Sequence, residues 1–298
     1  MTWTADDIDD QHGRTAVVTG ANAGLGLEIA TRLAEYGATV VLACRNLAKA
    51  ESAATGIRAY HPDAQVEVLP LDLADLSSVR KFVDHFEAAH DRLDLLVNNA
   101  GLMAVDESRT ADGFETQLGV NHLGHFALTA HLRPILQATP HSRVAAMSSM
   151  GHRAGRMDFD DLMGERRYGR WRAYFQSKLA NLLFTAELQR RLEAAGSSTI
   201  AVAAHPGGTS TDLGTEGHGL TNRVMGLLGP TATQPVFIGA LPMLRALTAP
   251  DVRGAQYYGP RWLMAGPPVL ETPSRRARNA SDAQRLWELS AKLTGVAA

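Results

Sequence analysis

Tyr174 and Lys178 are the two side chains of this sequence best suited to move a proton. Their four-residue spacing places both on one face of a helix, so that phenol and ammonium can reach one site. Of the six tyrosines, only Tyr174 is followed by lysine at this spacing. A phenol has a pKa of about 10, and a neighbouring ammonium together with a positively charged cofactor would lower it. We therefore predict that Tyr174 exchanges a proton near neutral pH; an ordinary helix-surface pair is the alternative.

A glycine-rich segment near the N-terminus could hold the phosphates of a dinucleotide. It runs from Thr19 to Gly26, between a predicted strand and a predicted helix, where a pyrophosphate can meet backbone amides. Gly20 would permit the tight turn, and Gly24 and Gly26 the close approach of phosphate and of the helix. A merely tight turn is the alternative. The predicted cofactor-binding residues of this loop are Gly20, Asn22, Ala23, Gly24, Leu25 and Gly26.

Arg45 follows the second predicted strand, about 20 residues beyond the glycine loop. An acidic residue here would accept hydrogen bonds from a free ribose 2′-hydroxyl, whereas a guanidinium suits a 2′-phosphate. The sequence therefore favours NADP(H), with NAD(H) as the alternative. Arg45 as simple surface charge is the other interpretation.

The spacing Gly-x-x-x-Gly-x-Gly and the motifs after it resemble the short-chain dehydrogenase/reductase family, up to about residue 211. The resemblance implies that Asp72 and Leu73 contact the adenine, although a helix cap or turn aspartate would look the same. It implies that the Asn98-Asn99-Ala100-Gly101 motif lines the cofactor ribose, and that a Pro-Gly turn meets the nicotinamide carboxamide. The residues assigned in this way are Asp72, Leu73, Asn98, Ala100, Gly101, Pro206, Gly207, Thr209 and Thr211.

The resemblance also implies a catalytic tetrad, which consists of Asn121, Ser149, Tyr174 and Lys178. Ser149 would hold the substrate oxygen beside Tyr174, with the adjacent Ser148 as a competing assignment. Lys178 would bind the cofactor ribose and bias Tyr174, which also contacts the cofactor. Asn121 would position Lys178 through water. The alternative for the serines is a strand-end residue that caps the backbone, and the alternative for Asn121 is a capping or buried polar helix residue.

Within the family, three local motifs resemble the retinol dehydrogenase-like branch: residues 42–45, 121–126 and 177–181. This resemblance implies an enzyme that moves a hydride between NADP(H) and an apolar aldehyde, ketone or alcohol. A catalytically silent NAD(P)-binding sensor is the main alternative, but such proteins usually lose the tyrosine or lysine. An epimerase or dehydratase is a further alternative, disfavoured by the glycine spacing.

The elements that must position these residues alternate between short β-branched runs and amphipathic stretches, which predicts an α/β fold with a Rossmann-type doubly wound parallel sheet. We expect helices over Leu25–Tyr36 and Leu76–His90, the latter beginning at Asp75 or Ser77. The six predicted strands are Thr15–Thr19, Thr39–Ala43, Gln65–Leu69, Leu93–Asn98, Arg143–Ser148 and Thr199–His205.

The sequence predicts one domain over residues 14–298, after an N-terminal extension of residues 1–13. Two stretches interrupt the alternation, residues 150–171 and a substrate lid around 206–234, and we expect both to face substrate. The apolar residues of the presumed lid are Leu213, Leu220, Val224, Met225, Leu227 and Leu228. An amphipathic helix that packs on the core is the alternative for that set.

Composition excludes several other kinds of protein. Lys and Arg number 29 against 31 Asp and Glu, a net charge of −2, which argues against a nucleic-acid surface. No uncharged apolar run reaches the roughly 18 residues of a membrane span. The acidic N-terminus and the single Cys44 favour a cytoplasmic protein. His122 and His125 lack further ligands, so we expect no metal site. The resemblance implies a helix-mediated homodimer or homotetramer.

Overall fold

The structure is a computed structural model, and it describes residues 2–209 and 234–297. Within these residues a sheet of eight strands has the order β3-β2-β1-β4-β5-β6-β7-β8. The first seven strands are parallel to their neighbours, and β8 runs antiparallel to β7. The strands are β1 (Thr15–Thr19), β2 (Thr39–Cys44), β3 (Val66–Pro70), β4 (Leu95–Asn98), β5 (Arg143–Met147), β6 (Ile200–Ala204), β7 (Tyr257–Pro260) and β8 (Pro268–Glu271).

Helices cover both faces of this sheet, and short 3-10 helices lie at Ala5–Asp7, Met150–Arg153 and Arg276–Arg278. A π-helical turn at Gly119–Leu123 joins the short helix α4 to α5. No helix in the described part of the chain is long and apolar enough to cross a membrane. The helices are α1 (Gly24–Glu35), α2 (Leu47–Tyr60), α3 (Leu76–Ala89), α4 (Thr116–Leu118), α5 (Gly124–Ala138), α6 (Arg170–Ala194), α7 (Val236–Thr248) and α8 (Ala280–Thr294).

The predicted doubly wound α/β fold is confirmed, and each of the six predicted strands is present with ends shifted by two residues at most. The prediction did not include β7 and β8, and β8 adds an antiparallel strand at the last edge of the sheet. Both strands are four residues long, and each contains a proline, which cannot donate a backbone hydrogen bond and therefore argues against a strand.

Two apolar layers hold the helices against the sheet. Alternate residues of β1 face opposite layers: Val17 packs in one, and Ala16 and Val18 in the other. Because both faces of the central strands are covered, β1 is buried at all five positions. Asp75 caps α3 by accepting from Ser77 and Ser78, as one of the two predicted start signals implied.

The segments outside the central pattern differ from expectation in their packing. Ile8, within the predicted N-terminal extension, is buried in the core. Met157 and Leu162, predicted to face substrate, also lie buried in the core, because residues 150–171 fold back against α6. Of the predicted lid, residues 210–233 lie outside the described residues, together with Thr211 and the apolar side chains assigned to that lid.

An aromatic cluster fastens the C-terminal helix α8 onto α6. Trp287 of α8 stacks on Phe184 of α6 with ring centroids 5.8 Å apart, and meets Phe126 of α5 edge-on at 5.0 Å. The guanidinium of Arg191 lies 4.6 Å from the Trp287 ring. These contacts bury one long side of α6, the helix that carries Tyr174 and Lys178.

Candidate active site

Three elements bring the tetrad together at the carboxyl edge of the parallel strands, where α/β sheets bind ligands. Ser149 follows β5, Tyr174 and Lys178 lie within the first three turns of α6, and Asn121 lies in the π-helical turn. Tyr174 is 5% exposed and Lys178 is 2% exposed. The ammonium nitrogen of Lys178 lies 5.8 Å from the centre of the Tyr174 ring. The predicted i, i+4 arrangement therefore directs both groups into one buried site.

The two serines after β5 have different partners. Ser148 is buried, and its hydroxyl donates to the carbonyl oxygen of Lys178 at 2.9 Å. Ser149 is half-buried and shares a hydrogen bond with the phenol of Tyr174. Its hydroxyl oxygen also accepts the backbone N–H of Gly151 at 3.0 Å. The geometry therefore favours Ser149 over Ser148 as the serine that faces a substrate oxygen.

Burial sets the protonation of the tyrosine and the lysine. It raises the pKa of Tyr174 above its ordinary value, and the hydrogen bond with Ser149 only partly opposes this. Burial lowers the pKa of Lys178 to about 8. The predicted lowering of the phenol pKa also requires the charge of an oxidised nicotinamide and stays a prediction; in the protein by itself, burial keeps Tyr174 a neutral phenol at neutral pH.

Three hydrogen bonds fix the side chain of Asn121. Its amide oxygen accepts the N–H of Leu102 at 2.7 Å, and its amide nitrogen donates to the Leu102 carbonyl at 3.0 Å and to Ser177 Oγ at 2.9 Å. Ser177 in turn donates to the carbonyl of Tyr174 at 2.8 Å. Asn121 thus links the loop after β4 to α6. Leu102 acts through its backbone, so no side-chain pattern could have predicted it.

The Asn98–Gly101 motif lies directly beside the tetrad. A Cβ added to Gly101 would lie 3.1 Å from Asn121 Oδ1 and 3.3 Å from Lys178 Nζ. Asn99 donates its side-chain amide to the Thr19 carbonyl at 2.8 Å, which joins the ends of β4 and β1. The side-chain oxygen of Asn98 is buried without a hydrogen-bond partner among the described residues. The motif therefore connects the tetrad to the glycine loop.

The glycine loop has the shape that a pyrophosphate requires. Gly20 and Gly24 have φ of +66° and +55°, which glycine adopts without strain. A Cβ on Gly26 would collide with the Gly20 carbonyl and lie 2.5 Å from Asn99 Nδ2. α1 begins at Gly24 behind Ala23, which offers no side-chain cap, so its first amides are left for another acceptor. These features fit a dinucleotide.

The residues predicted to hold the adenosine lie beside this loop. Arg45 is exposed directly after β2, and it forms no salt bridge within the described ranges. Asp72 follows β3, and its carboxylate accepts the N–H of Ala74 at 2.9 Å, the turn role left open above. Leu73 is buried against Gly124 of α5. Lys49, which sequence reasoning missed, lines a surface cleft that also contacts Asn22 of the loop.

The Pro-Gly turn after β6 is held by neighbouring segments. Gly207 has φ of +67°, and the N–H groups of Gly207 and Gly208 donate to His205 Nδ1 and to the Met264 carbonyl. Gln234 donates to the carbonyl of Pro206 at 2.7 Å. Thr209 bonds the same carbonyl through its hydroxyl at 2.8 Å. The turn lies at the same edge of the sheet as the tetrad.

The two helix histidines have partners within the fold. His122 Nε2 lies 2.8 Å from Ser290 Oγ of α8, and His125 Nε2 lies 2.9 Å from Thr19 Oγ1. Burial lowers the pKa of His122 to about 3 and that of His125 to about 4. Both are therefore neutral and hydrogen-bonded. Within residues 2–209 and 234–297, no group of three or more histidine, cysteine or acidic residues could hold a metal ion.

A comparison with known protein families identifies the family of this chain. The family described as short chain dehydrogenase matches residues 14–218, which include the glycine loop and the tetrad. This chain is a short-chain dehydrogenase. Members of the family bind a nicotinamide cofactor and act as oxidoreductases on alcohols and carbonyls, and this short-chain dehydrogenase is accordingly an enzyme of that class.

The relatives place this short-chain dehydrogenase in the retinol dehydrogenase-like branch. Human retinol dehydrogenase 12 is 42% identical over 95% of this chain and 87% of its own length. Human retinol dehydrogenase 13 is 41% identical over 96% of this chain and 86% of its own length. A crystal structure of an uncharacterised protein from Mycobacterium paratuberculosis, 45% identical, superposes with a TM-score of 0.84 over 99% of this chain and 98% of that one.

Proposed function

We propose that this enzyme reduces small apolar aldehydes and ketones with NADPH. The observation that carries the proposal is the buried Tyr174 phenol beside Ser149, because burial keeps this phenol protonated. A reductase needs a proton donor for the oxygen of its substrate at the moment the carbonyl carbon accepts hydride. The reverse direction, alcohol oxidation, uses the same group as a phenolate, which burial disfavours and the charge of an oxidised nicotinamide would favour.

The chain's own residues divide the work as follows. Ser149 Oγ donates a hydrogen bond to the carbonyl oxygen and aligns it with Tyr174, whose phenol gives the proton to that oxygen. Lys178 and the glycine loop hold the cofactor, and Asn121 fixes the strand end against α6. When bound, the nicotinamide supplies the hydride. Orientation and the hydrogen bonds to the developing negative oxygen each contribute several kcal/mol to the fall in the barrier.

A basic, open surface beside the glycine loop supports NADPH as the cofactor. Arg45 is exposed at the end of β2, one turn before Lys49 in α2. Lys49 lines a cleft with a volume of about 480 Å³. Its lining residues are Asn22, Leu27, Ala48, Lys49, Ser52 and Ala53. Lys49 lines this cleft with no acidic residue, and Arg45 lies one turn before Lys49, an arrangement that suits a 2′-phosphate. A related-fold dehydrogenase from Shigella flexneri, 23% identical with a TM-score of 0.64, was solved in complex with NADP.

The apolar substrate class rests on the relatives. Retinol dehydrogenases 11 to 14 carry in their names an apolar alcohol, and several are about 40% identical to this chain. We propose only the substrate class for this enzyme, an apolar carbonyl or alcohol, and we do not propose a retinoid as its substrate. The apolar residues predicted for the lid lie in residues 210–233, outside the described part of the chain.

A cofactor and substrate panel tests the proposal. Purified protein is mixed with NADPH or NADH and a series of apolar aldehydes and ketones, and the nicotinamide absorbance is followed. We expect oxidation of NADPH, with a higher kcat/KM than for NADH. Binding of NADPH without turnover of any substrate would instead favour the catalytically silent sensor. Equal kcat/KM values for the two cofactors would contradict the assignment of Arg45.

A further inference from the structure

Two buried histidines outside the tetrad connect the Pro-Gly turn and Ser149 to the last strand of the sheet, β8, and to the residues that follow it. His205 follows β6 and is 1% exposed, and His152 lies in the 3-10 helix after Ser149 and is 0% exposed. Both rings pack against Tyr257 of β7, His205 stacked and His152 edge-on, each with its centroid 5.4 Å from that of the tyrosine. Hydrogen bonds to both ring nitrogens fix each imidazole.

The hydrogen bonds of His205 run from the cofactor turn to Glu271. Its Nδ1 accepts the backbone N–H of Gly207 at 3.2 Å, so the ring proton lies on Nε2, which donates to Glu271 Oε1 at 3.0 Å. Burial opposes ionisation of Glu271, but the hydrogen bond from His205 and the charge of Arg153 outweigh it and lower its pKa. An ionised Glu271 therefore fixes the tautomer that lets His205 accept from Gly207.

The strand between them is shaped to admit this pair. A Cβ on Gly259 of β7 would overlap both His205 Nε2 and Glu271 Oε1. A side chain at this position would displace one partner or both. The absence of a side chain at this position of β7 thus makes room for the buried hydrogen bond between His205 and Glu271.

The second histidine ties the serine to the chain that leaves β8. His152 Nδ1 donates to the carbonyl of Ser149 at 2.7 Å, and Nε2 accepts the N–H of Ser274 at 3.2 Å. Burial lowers the pKa of His152 to about 4, so this ring stays neutral. Residues 271–274 therefore hold both the Ser149 carbonyl and the turn at Gly207.

We propose that Glu271 and His205 are positioning residues that hold the turn at residues 206–209 in its cofactor-binding shape. They act through the backbone amide of Gly207. Because residues 271–274 bond both histidines, they fix the position of this turn relative to Ser149. The inference rests on the proposed function, because it assumes that the turn contacts the nicotinamide.

Substitutions at Glu271 separate positioning from general stability. Glu271→Ala removes the acceptor of His205, and we expect the Kd and KM for NADPH to rise roughly tenfold, the effect of one lost buried hydrogen bond, with a smaller change in kcat. Glu271→Gln keeps an acceptor oxygen and should restore most of the affinity. Glu67→Ala is the matched control, because Glu67 makes the same contact with His90 at 3.1 Å at the far edge of the sheet.

Two substitutions of His205 test which nitrogen matters. His205→Asn can still accept from Gly207, whereas His205→Gln can only reach Glu271, so we expect the asparagine variant to bind NADPH more tightly. The inference is overturned if Glu271→Ala lowers the melting temperature and leaves the Kd for NADPH unchanged, or if the glutamine variant binds as well as the asparagine variant. Failure of the unaltered protein to bind NADPH would instead overturn the proposed function.

Discussion

The glycine loop and the tetrad lie at the same edge of the sheet, but they are built from different parts of the chain. The loop from Gly20 to Gly26 offers uncapped backbone amides and has no room for side chains at Gly20 and Gly26. The tetrad depends on buried side chains, and burial shifts the pKa of both Tyr174 and Lys178. Shape is therefore the main requirement in the loop, and desolvated charge and hydrogen bonding are the main requirements in the tetrad.

This comparison predicts that the smallest chemical change in the tetrad has the largest effect on the reaction. Tyr174→Phe removes one oxygen and should lower kcat by roughly 10³-fold, since general acid catalysis contributes on the order of 10² to 10⁴. The Kd for NADPH, measured by fluorescence titration, should change little. Tyr60→Phe, at an 86% exposed tyrosine, is the control. Retained turnover in Tyr174→Phe would rule out the proposed proton donor.

Replacing the buried cation should stabilise the fold while it removes activity. The pKa of Lys178 falls from 10.5 to about 8 on folding, so the unfolded chain binds more protons between these pH values. Lys178→Met should therefore raise the free energy of unfolding by up to roughly 3 kcal/mol at pH 7, a gain that shrinks as pH rises from 8 towards 10.5. Denaturant titrations across this range measure it.

The exposed Lys81 provides the control for that measurement. Lys81→Met should leave the pH dependence of stability unchanged. A Lys178→Met protein that is less stable than the parent at pH 7 would mean that the hydrogen bond from Lys178 Nζ to the Met147 carbonyl, 3.3 Å long, outweighs the cost of burying the charge.

In the glycine loop, the decisive change is the addition of a single carbon atom. Gly26→Ala places a Cβ against the Gly20 carbonyl and should weaken NADPH binding by about 100-fold, because the loop must shift. Gly56→Ala, in α2 with no atom near its added Cβ, should leave binding intact and slightly stabilise the helix. Calorimetric titration of both variants tests whether shape alone governs this region.

The smallest predicted effect concerns which cofactor is chosen. Arg45→Asp replaces a cation with an anion at an exposed position and should lower the preference for NADPH over NADH by about tenfold or more. The kcat with a saturating cofactor should stay nearly constant, because Arg45 lies outside the tetrad. A ratio of kcat/KM values that does not change would exclude Arg45 from cofactor selection.

The sequence predicted what local spacing encodes. Three features each depend on only a few neighbouring residues: the offset between Tyr174 and Lys178, the glycine spacing, and the apolar runs of β1 to β6. The preference for Ser149 over Ser148 rested on the family resemblance, because spacing does not show which hydroxyl turns towards the Lys178 carbonyl.

Features that join distant parts of the chain could not be predicted in this way. Glu271 meets His205 across 66 positions, and β7 and β8 are too short and too rich in proline to show a strand pattern. The raised pKa of Tyr174 follows from how completely the fold buries it, which spacing to Lys178 does not reveal. The π-helical turn around Asn121 also depends on contacts to Leu102 and Ser177.

The packing of α8 on α6 has a consequence for quaternary structure. A second copy of the chain that approached this side of α6 would have to displace a helix tethered to the same polypeptide, whose effective concentration is on the order of millimolar. A dimer or tetramer of the kind the family resemblance implies would therefore have to use other surfaces or release α8. Release would also free His122 from Ser290, one residue away from Asn121. Association at this face and the conformation of the π-helical turn would then be thermodynamically linked.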